Sequence, residues 1–173
     1  RAAYQSGDES QLMAELERLV EMAVRAHVQK KAFIERLFSL NGLGPLGLLA
    51  MKRKGRSYLD MRHAAYLVSV TGLNECVQSM TNRAVHESEE ATALGARLVA
   101  RLTHLCDEWN ERLDLGIKPA QTIEAGVSKR FAGIDLDAYP EKARSLVKTE
   151  PESQELTYSL GARLDAAYGG SPI

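Results

Sequence analysis

Apolar residues recur at spacings of three and four along the first quarter of the chain. Leu12, Leu16, Leu19, Ala23, Ala26, Phe33 and Leu37 fall on one stripe, interrupted by Lys30, and predict one long helix from about Asp8 to Leu40. Asp8 with Gln11 supplies a capping pattern at its start. Met13, Val20, Val24 and Val28 widen the apolar face, which favours packing inside a globular body over an isolated coiled coil. Asn41-Gly42-Leu43-Gly44-Pro45 ends the helix, because glycine and asparagine accept the left-handed cap and proline cannot continue the turn. A short apolar helix from Leu46 to about Lys52 and a polar loop at Gly55 follow.

The period then changes. Ala64 to Thr71 is rich in β-branched and aromatic residues and predicts a buried strand. Gly72 turns the chain into a helix from Leu73 to about Thr81. A second long helix spans about Glu87 to Leu113, with Leu94, Leu98, Leu102, Leu105 and Trp109 on its apolar face. Ile117 to Ile123 is a further strand, confined by Pro119 to an edge or a strand start. Gly126 and Ser128 begin another turn, Asp137 and Pro140 open a helix to about Lys148, and Glu150-Pro151 breaks it. The tail to Tyr168 reads as helix, and Gly169 to Pro172 as loop. The expected fold class is mainly α with a few strands. Two strands cannot form a useful sheet, so the other members are expected outside this chain. The start at Arg1, without methionine, fits the same expectation of a piece of something longer.

Composition narrows the function classes. The chain has 173 residues, 45% apolar and 26% charged, with a formal net charge of -1, which suits a folded domain. That balance gives no global reason to expect nucleic acid or membrane as partner. The basic run Lys52-Arg53-Lys54-Gly55-Arg56 reads as a solvated helix end. Cys76 and Cys106 are too few for a disulfide framework and lack zinc spacing, so buried free thiols in a reducing compartment are expected. Gly42 to Gly47 matches G-x-G-x-x-G, but a helix precedes it where a dinucleotide site needs a strand. His27, His63, His86 and His104 show no metal-ligand spacing, and His104 with Glu108 reads as a surface pair. The stretch Thr122 to Arg130 places small and hydroxyl residues between a strand end and a helix start. Free backbone N–H groups there would suit a phosphate, which makes Thr122, Gly126 and Ser128 the substrate-phosphate candidates.

Two stretches carry a resemblance. One is Gly44-Pro45-Leu46-Gly47-Leu48-Leu49, a charged glycine loop, and Tyr66-Leu67-Val68-Ser69-Val70-Thr71-Gly72-Leu73-Asn74-Glu75. The other is Thr122 to Asp135, with Arg130-Phe131 and Asp135. Together they resemble the anaerobic, class III ribonucleoside-triphosphate reductases, which are glycyl-radical enzymes. Arg1-Ala2-Ala3-Tyr4 and Gly170-Ser171-Pro172-Ile173 are similar to flanking stretches of the same family. Where the family usually has Thr-Pro-Ala-Glu, this chain has Thr122-Ile123-Glu124-Ala125.

The resemblance implies a cytoplasmic enzyme whose catalytic domain is a ten-stranded α/β barrel, of which residues 1–173 form one undivided segment. It implies reduction of ribonucleoside triphosphates to deoxyribonucleoside triphosphates, for DNA replication, by a glycyl radical and a finger-loop thiyl. Both lie outside this segment, as does a zinc site of the parent enzyme. No catalytic residue and no metal ligand is expected here, since neither Cys76 nor Cys106 matches the thiyl position. The implied partners are the nucleotide substrate, a radical-SAM activating enzyme and a second subunit. The reductant stays open between formate and a thioredoxin-like protein. Two other readings are a stand-alone helical interaction module and a barrel segment of a glycyl-radical enzyme with another substrate.

Overall fold

The computed structural model describes residues 7–40, 43–121, 125–149 and 154–159. The long helix is present as α1, Glu9–Phe38. Asp8 caps it by accepting from the Ser10 backbone N–H at 2.9 Å. The buried stripe is rotated from the expected one by about one residue. Val20 and Val24 are the deeply buried positions, with Leu16, Ile34 and Phe38 beside them. Leu19, Met22 and Phe33 remain exposed. Both faces are apolar enough to pack, and the neighbouring elements decide which one does.

Helix α2 is shorter than expected, Gly47–Ala50. The basic run after it is a β-hairpin and not a helix end. Strands β1, Lys52–Arg53, and β2, Arg56–Ser57, pair antiparallel around Lys54 and Gly55. Both turn residues have positive φ, 52° and 81°. That is the mirror-image turn whose twist matches a hairpin, and glycine makes it accessible.

Strand β3, Ala65–Val70, leads through Gly72 into α3, Leu73–Thr81. Ser88 caps α4, Glu89–Leu113, by accepting from the Ala91 N–H at 3.1 Å. Asp114, in the left-handed conformation, turns the chain into β4, Gly116–Gln121. β3 and β4 pair in parallel from Ala65↔Gly116 to Val70↔Gln121. This is a strand–helix–helix–strand crossover, as parallel pairing requires. A Cβ on Gly116 would stand 2.9 Å from the Ala64 carbonyl oxygen, so only glycine allows the strand to start this close.

Alternation gives the strand pair two faces. Tyr66 and Ile117 turn inward to Val20, Val24, Leu102, Leu105 and Cys106 in the main core. Ala65, Leu67, Ser69 and Lys118 are exposed on the opposite face. Helix side chains cap part of each outer edge. Asn110 accepts from the Ile117 N–H at 2.7 Å and donates to the Ile117 carbonyl at 2.8 Å. His27 Nε2 lies 3.1 Å from the Leu67 carbonyl. The Pro119 nitrogen points outward, as the Ile117 N–H does, so its missing hydrogen costs no ladder bond.

A second apolar cluster joins α3 to α4 through Leu73, Val77, Val85, Ala91, Leu94 and Leu98. Residues 125–138 form helix α5, Ala125–Ala138, where a turn at Gly126 and Ser128 was expected. Helix α6, Pro140–Arg144, stops short of the expected Lys148. β5, Lys148–Thr149, and β6, Leu156–Thr157, make a hairpin, so residues 154–159 are not helical as expected. The rest of the expected tail helix lies outside the described residues, as do Asn41 and Gly42 of the glycine motif. The described fold is mainly helical with a few strands, as expected. No described helix is long and apolar enough to cross a membrane.

Candidate functional site

The carboxyl end of β3 is the place to look, because open α/β sheets bind ligands outside the carboxyl ends of parallel strands. Gly72 leaves the strand at φ 76°, a conformation that glycine adopts without strain. That turn puts Asn74 and Glu75 in the first turn of α3, where both side chains are buried. Asn74 Oδ1 accepts from the Val85 N–H at 3.0 Å and fixes the loop before α4. Glu75 reaches the other way. Its Oε1 accepts from the Ser159 N–H at 2.8 Å and its Oε2 from the Ser159 hydroxyl at 2.6 Å. The Gly72 N–H donates to the Ser159 carbonyl at 3.2 Å. A carboxylate at a helix N-terminus holding two donors is well compensated for its burial.

Tyr158, one residue earlier, bridges to α5. Its hydroxyl donates to Asp135 Oδ2 at 3.3 Å, and its ring packs with Ala132, Ala143 and Leu146. The two stretches that carried the resemblance, ending at Glu75 and at Asp135, are therefore joined in space by Tyr158 and Ser159. Sequence reasoning missed both residues. Nothing local marks them, because their role depends on partners far along the chain.

The phosphate candidates separate. Thr122 lies outside the described residues. Gly126 is exposed in the first turn of α5, with open space where a Cβ would be. Ser128 is fully buried. Its hydroxyl donates to the Tyr158 carbonyl and lies 2.7 Å from Thr157 Oγ1. The structure thus does not bring Gly126 and Ser128 together on one open turn. Ser128 pins α5 to β6, while Gly126 leaves first-turn backbone accessible.

A cavity of about 510 Å³ opens beside this junction, between α1, α4 and the carboxyl end of β3. Its lining includes Gly72, Glu75, Cys76, Asp135 and Tyr158, together with Leu19, Met22 and Val99. Burial and the neighbouring Glu75 charge push the Cys76 thiol up. Cys106 is fully buried and likewise raised, first by burial and then by Asp107. Both are free thiols, and neither is poised as a thiolate. Cys76 is only partly buried, more open than its apolar sequence neighbours imply. His104 and Glu108 form the expected surface pair, 3.0 Å apart. Among the described residues no three His, Cys, Asp or Glu side chains gather as metal ligands.

Comparison with known proteins adds one finding. No curated protein matches the chain. The family described as anaerobic ribonucleoside-triphosphate reductase matches residues 1–166, nearly its whole length. The chain therefore belongs to the anaerobic ribonucleoside-triphosphate reductase family.

Proposed function

We propose that this chain is part of the catalytic domain of an enzyme that converts ribonucleoside triphosphates to deoxyribonucleoside triphosphates by glycyl- and thiyl-radical chemistry. Its own share is scaffold, with Thr122 and Gly126 holding substrate phosphates. The observation that carries this reading is the β3–β4 pair. Parallel sheets are ordinarily covered on both faces, whereas here Leu67 is 53% exposed and Lys118 is open beside it. A ten-stranded barrel would supply that cover. A self-sufficient helical interaction module has no use for a parallel pair with one bare face. Further strands would displace the His27 contact on the β3 edge or the Asn110 contact on the β4 edge.

The radical and the thiyl cysteine supply hydrogen abstraction at the ribose, and both belong outside these residues. The raised thiols of Cys76 and Cys106 fit that division. What this chain does itself is positional. Gly72, Glu75 and Ser159 tie the carboxyl end of β3 to the stretch after β6, and Tyr158 with Asp135 ties that stretch to α5. Gly126 leaves the N-terminal amides of α5 open to an anion, and Thr122 precedes them in the chain. A cytoplasmic homodimer served by a radical-SAM activating enzyme completes the proposal.

The test is anaerobic turnover of a ribonucleoside triphosphate by the activated enzyme, wild type against Thr122→Ala. Deoxyribonucleotide formation with a KM raised several-fold in the variant supports both halves. Product with an unchanged KM removes the phosphate role, and no product from the wild type removes the catalytic reading.

A further inference from the structure

Helix α1 carries a second stripe that the core does not use. Leu19, Met22, Ala26, Gln29 and Phe33 are spaced three, four, three and four apart, and all five are exposed. Leu19 is 44%, Met22 54% and Phe33 53% exposed, on the flank turned away from Val20 and Val24. Three-four spacing is that of a coiled-coil seam, which two helices share. We propose that a second copy of this chain covers the stripe, with the two α1 helices antiparallel about a two-fold axis at Ala26. The inference rests on the homodimer proposed above and gives it a surface, and it is independent of the radical chemistry.

The first argument is shape. A two-fold contact must be self-complementary, because each patch meets its own copy. Leu19 and Phe33 each lie seven residues from Ala26, about 10 Å along the helix axis. Rotation about Ala26 therefore sets Phe33 of one copy against Leu19 of the other. Leu19, Met22 and Val99 line the 510 Å³ groove, and all three are exposed. A projecting aromatic ring thus meets an apolar recess at both ends of the seam, and aromatic anchors in pockets carry much of the energy of such contacts. Ala26, small at the crossing, lets the helix axes approach to about 8 Å.

The second argument is charge. From Glu9 to Glu21, α1 carries Glu9, Glu15, Glu17 and Glu21 against Arg18. From Arg25 to Arg36 it carries Arg25, Lys30, Lys31 and Arg36 against Glu35. Antiparallel copies put the acidic half of each beside the basic half of the other, whereas parallel copies would set like beside like. The margin of the seam follows the same rule. Glu15 stands one turn before Leu19 and holds Arg18 at 2.6 Å in the single chain. Arg36 lies over the Phe33 ring, 5.6 Å from its centroid. With Phe33 seated on Leu19 of the second copy, Arg36 comes beside Glu15 of that copy.

The experiment is sedimentation velocity of the purified enzyme across a range of concentrations, with variants beside the wild type. Phe33→Glu should raise the dimer dissociation constant roughly a hundredfold, as loss of a central anchor does. Its circular dichroism should match the wild type, because Phe33 is not a core residue. Glu15→Arg should weaken the dimer, and Glu15→Arg with Arg36→Glu should restore it, which a merely misfolded variant would not do. Ala26→Cys should give a disulfide between two copies on mild oxidation, identified by peptide mass, since position 26 meets itself at the axis. Phe33→Glu dimerising as tightly as wild type, or no disulfide at position 26, overturns this surface and leaves the homodimer standing. A wild type that is monomeric at every concentration overturns both. Neither result bears on the anaerobic turnover that tests the catalytic reading.

Discussion

Glu75 and Ser159 stand 84 residues apart in sequence, yet the Glu75 carboxylate holds both the N–H and the hydroxyl of Ser159. With the Gly72 N–H on the Ser159 carbonyl, every polar backbone group of Ser159 is taken by the first turn of α3 or the residue before it. This clasp closes the carboxyl end of β3 against the last described stretch. Replacing Glu75 by alanine leaves two part-buried donors without their acceptor and should destabilise the protein by about 2–5 kcal/mol. Glutamine keeps one acceptor and should cost less than half as much. Urea unfolding of the two variants measures the difference, and equal losses would mean that the carboxylate holds nothing here.

Ser128 and Thr122 should respond differently to mutation. Ser128→Ala strips the Tyr158 carbonyl and Thr157 of a buried partner and should cost about 1–3 kcal/mol of stability. Substrate KM should stay at the wild-type value, since this hydroxyl faces the interior. A raised KM at unchanged stability would return Ser128 to the phosphate site.

Asn110 stands in for a neighbouring strand by pairing with both backbone groups of Ile117. Asn110→Ala leaves two half-buried groups in an apolar neighbourhood without partners and should lower stability by about 2–3 kcal/mol. Asn110→Asp keeps the acceptor but loses the donor, and should fall between. Melting curves of the three proteins order them. An alanine variant as stable as wild type would show that the Ile117 edge is satisfied in another way.

Acid should loosen specific contacts in a definite window. Hydrogen bonds from Arg62, from its side chain first and then its backbone, hold Asp60 at about 2 against an ordinary 3.8. Glu9 is lowered from 4.5, chiefly by its hydrogen bond from Arg97, which ties α1 to α4. Groups depressed on folding contribute above their unfolded values and lose that contribution as pH falls through the folded ones. The Asp60 contribution is therefore complete above pH 3.8 and fades toward pH 2. Both carboxylates are exposed, so the effect on overall stability is small. Carboxyl NMR titration should place the Asp60 midpoint well below 3.8, and a midpoint at 3.8 would show that the Arg62 contact does not persist.

The long helices α1 and α4 were readable because each carries a helical period, and β3 because it is rich in β-branched and aromatic residues. Val20 and Val24, with Leu19 and Met22 one position round, show the limit of that signal. The sequence marks α1 as apolar on a broad face, but α4 and β3 decide which stripe is buried. Helix α5 escaped notice because Gly126 and Ser128 read as turn residues. Tertiary contacts from Ala132, Ser128 and Asp135 to β6 and α6 override that propensity. The Lys52–Ser57 hairpin is too short to show a strand period and depends on Lys54 and Gly55 adopting positive φ. At the candidate site, Glu75 and Asp135 were visible through their stretches. Tyr158 and Ser159 were not, because contacts spanning 23 and 84 residues leave no local pattern.

The bare face of β3–β4 tests the central claim most directly. Hydroxyl-radical footprinting of the anaerobically purified enzyme reads side-chain exposure at Leu67 and Lys118. In the described residues Leu67 is 53% exposed. If this chain is part of a barrel, Leu67 should be protected in the enzyme to the level of the core residue Ile117. Oxidation of Leu67 at the rate of a freely exposed leucine would show that nothing covers this face, and would contradict the barrel.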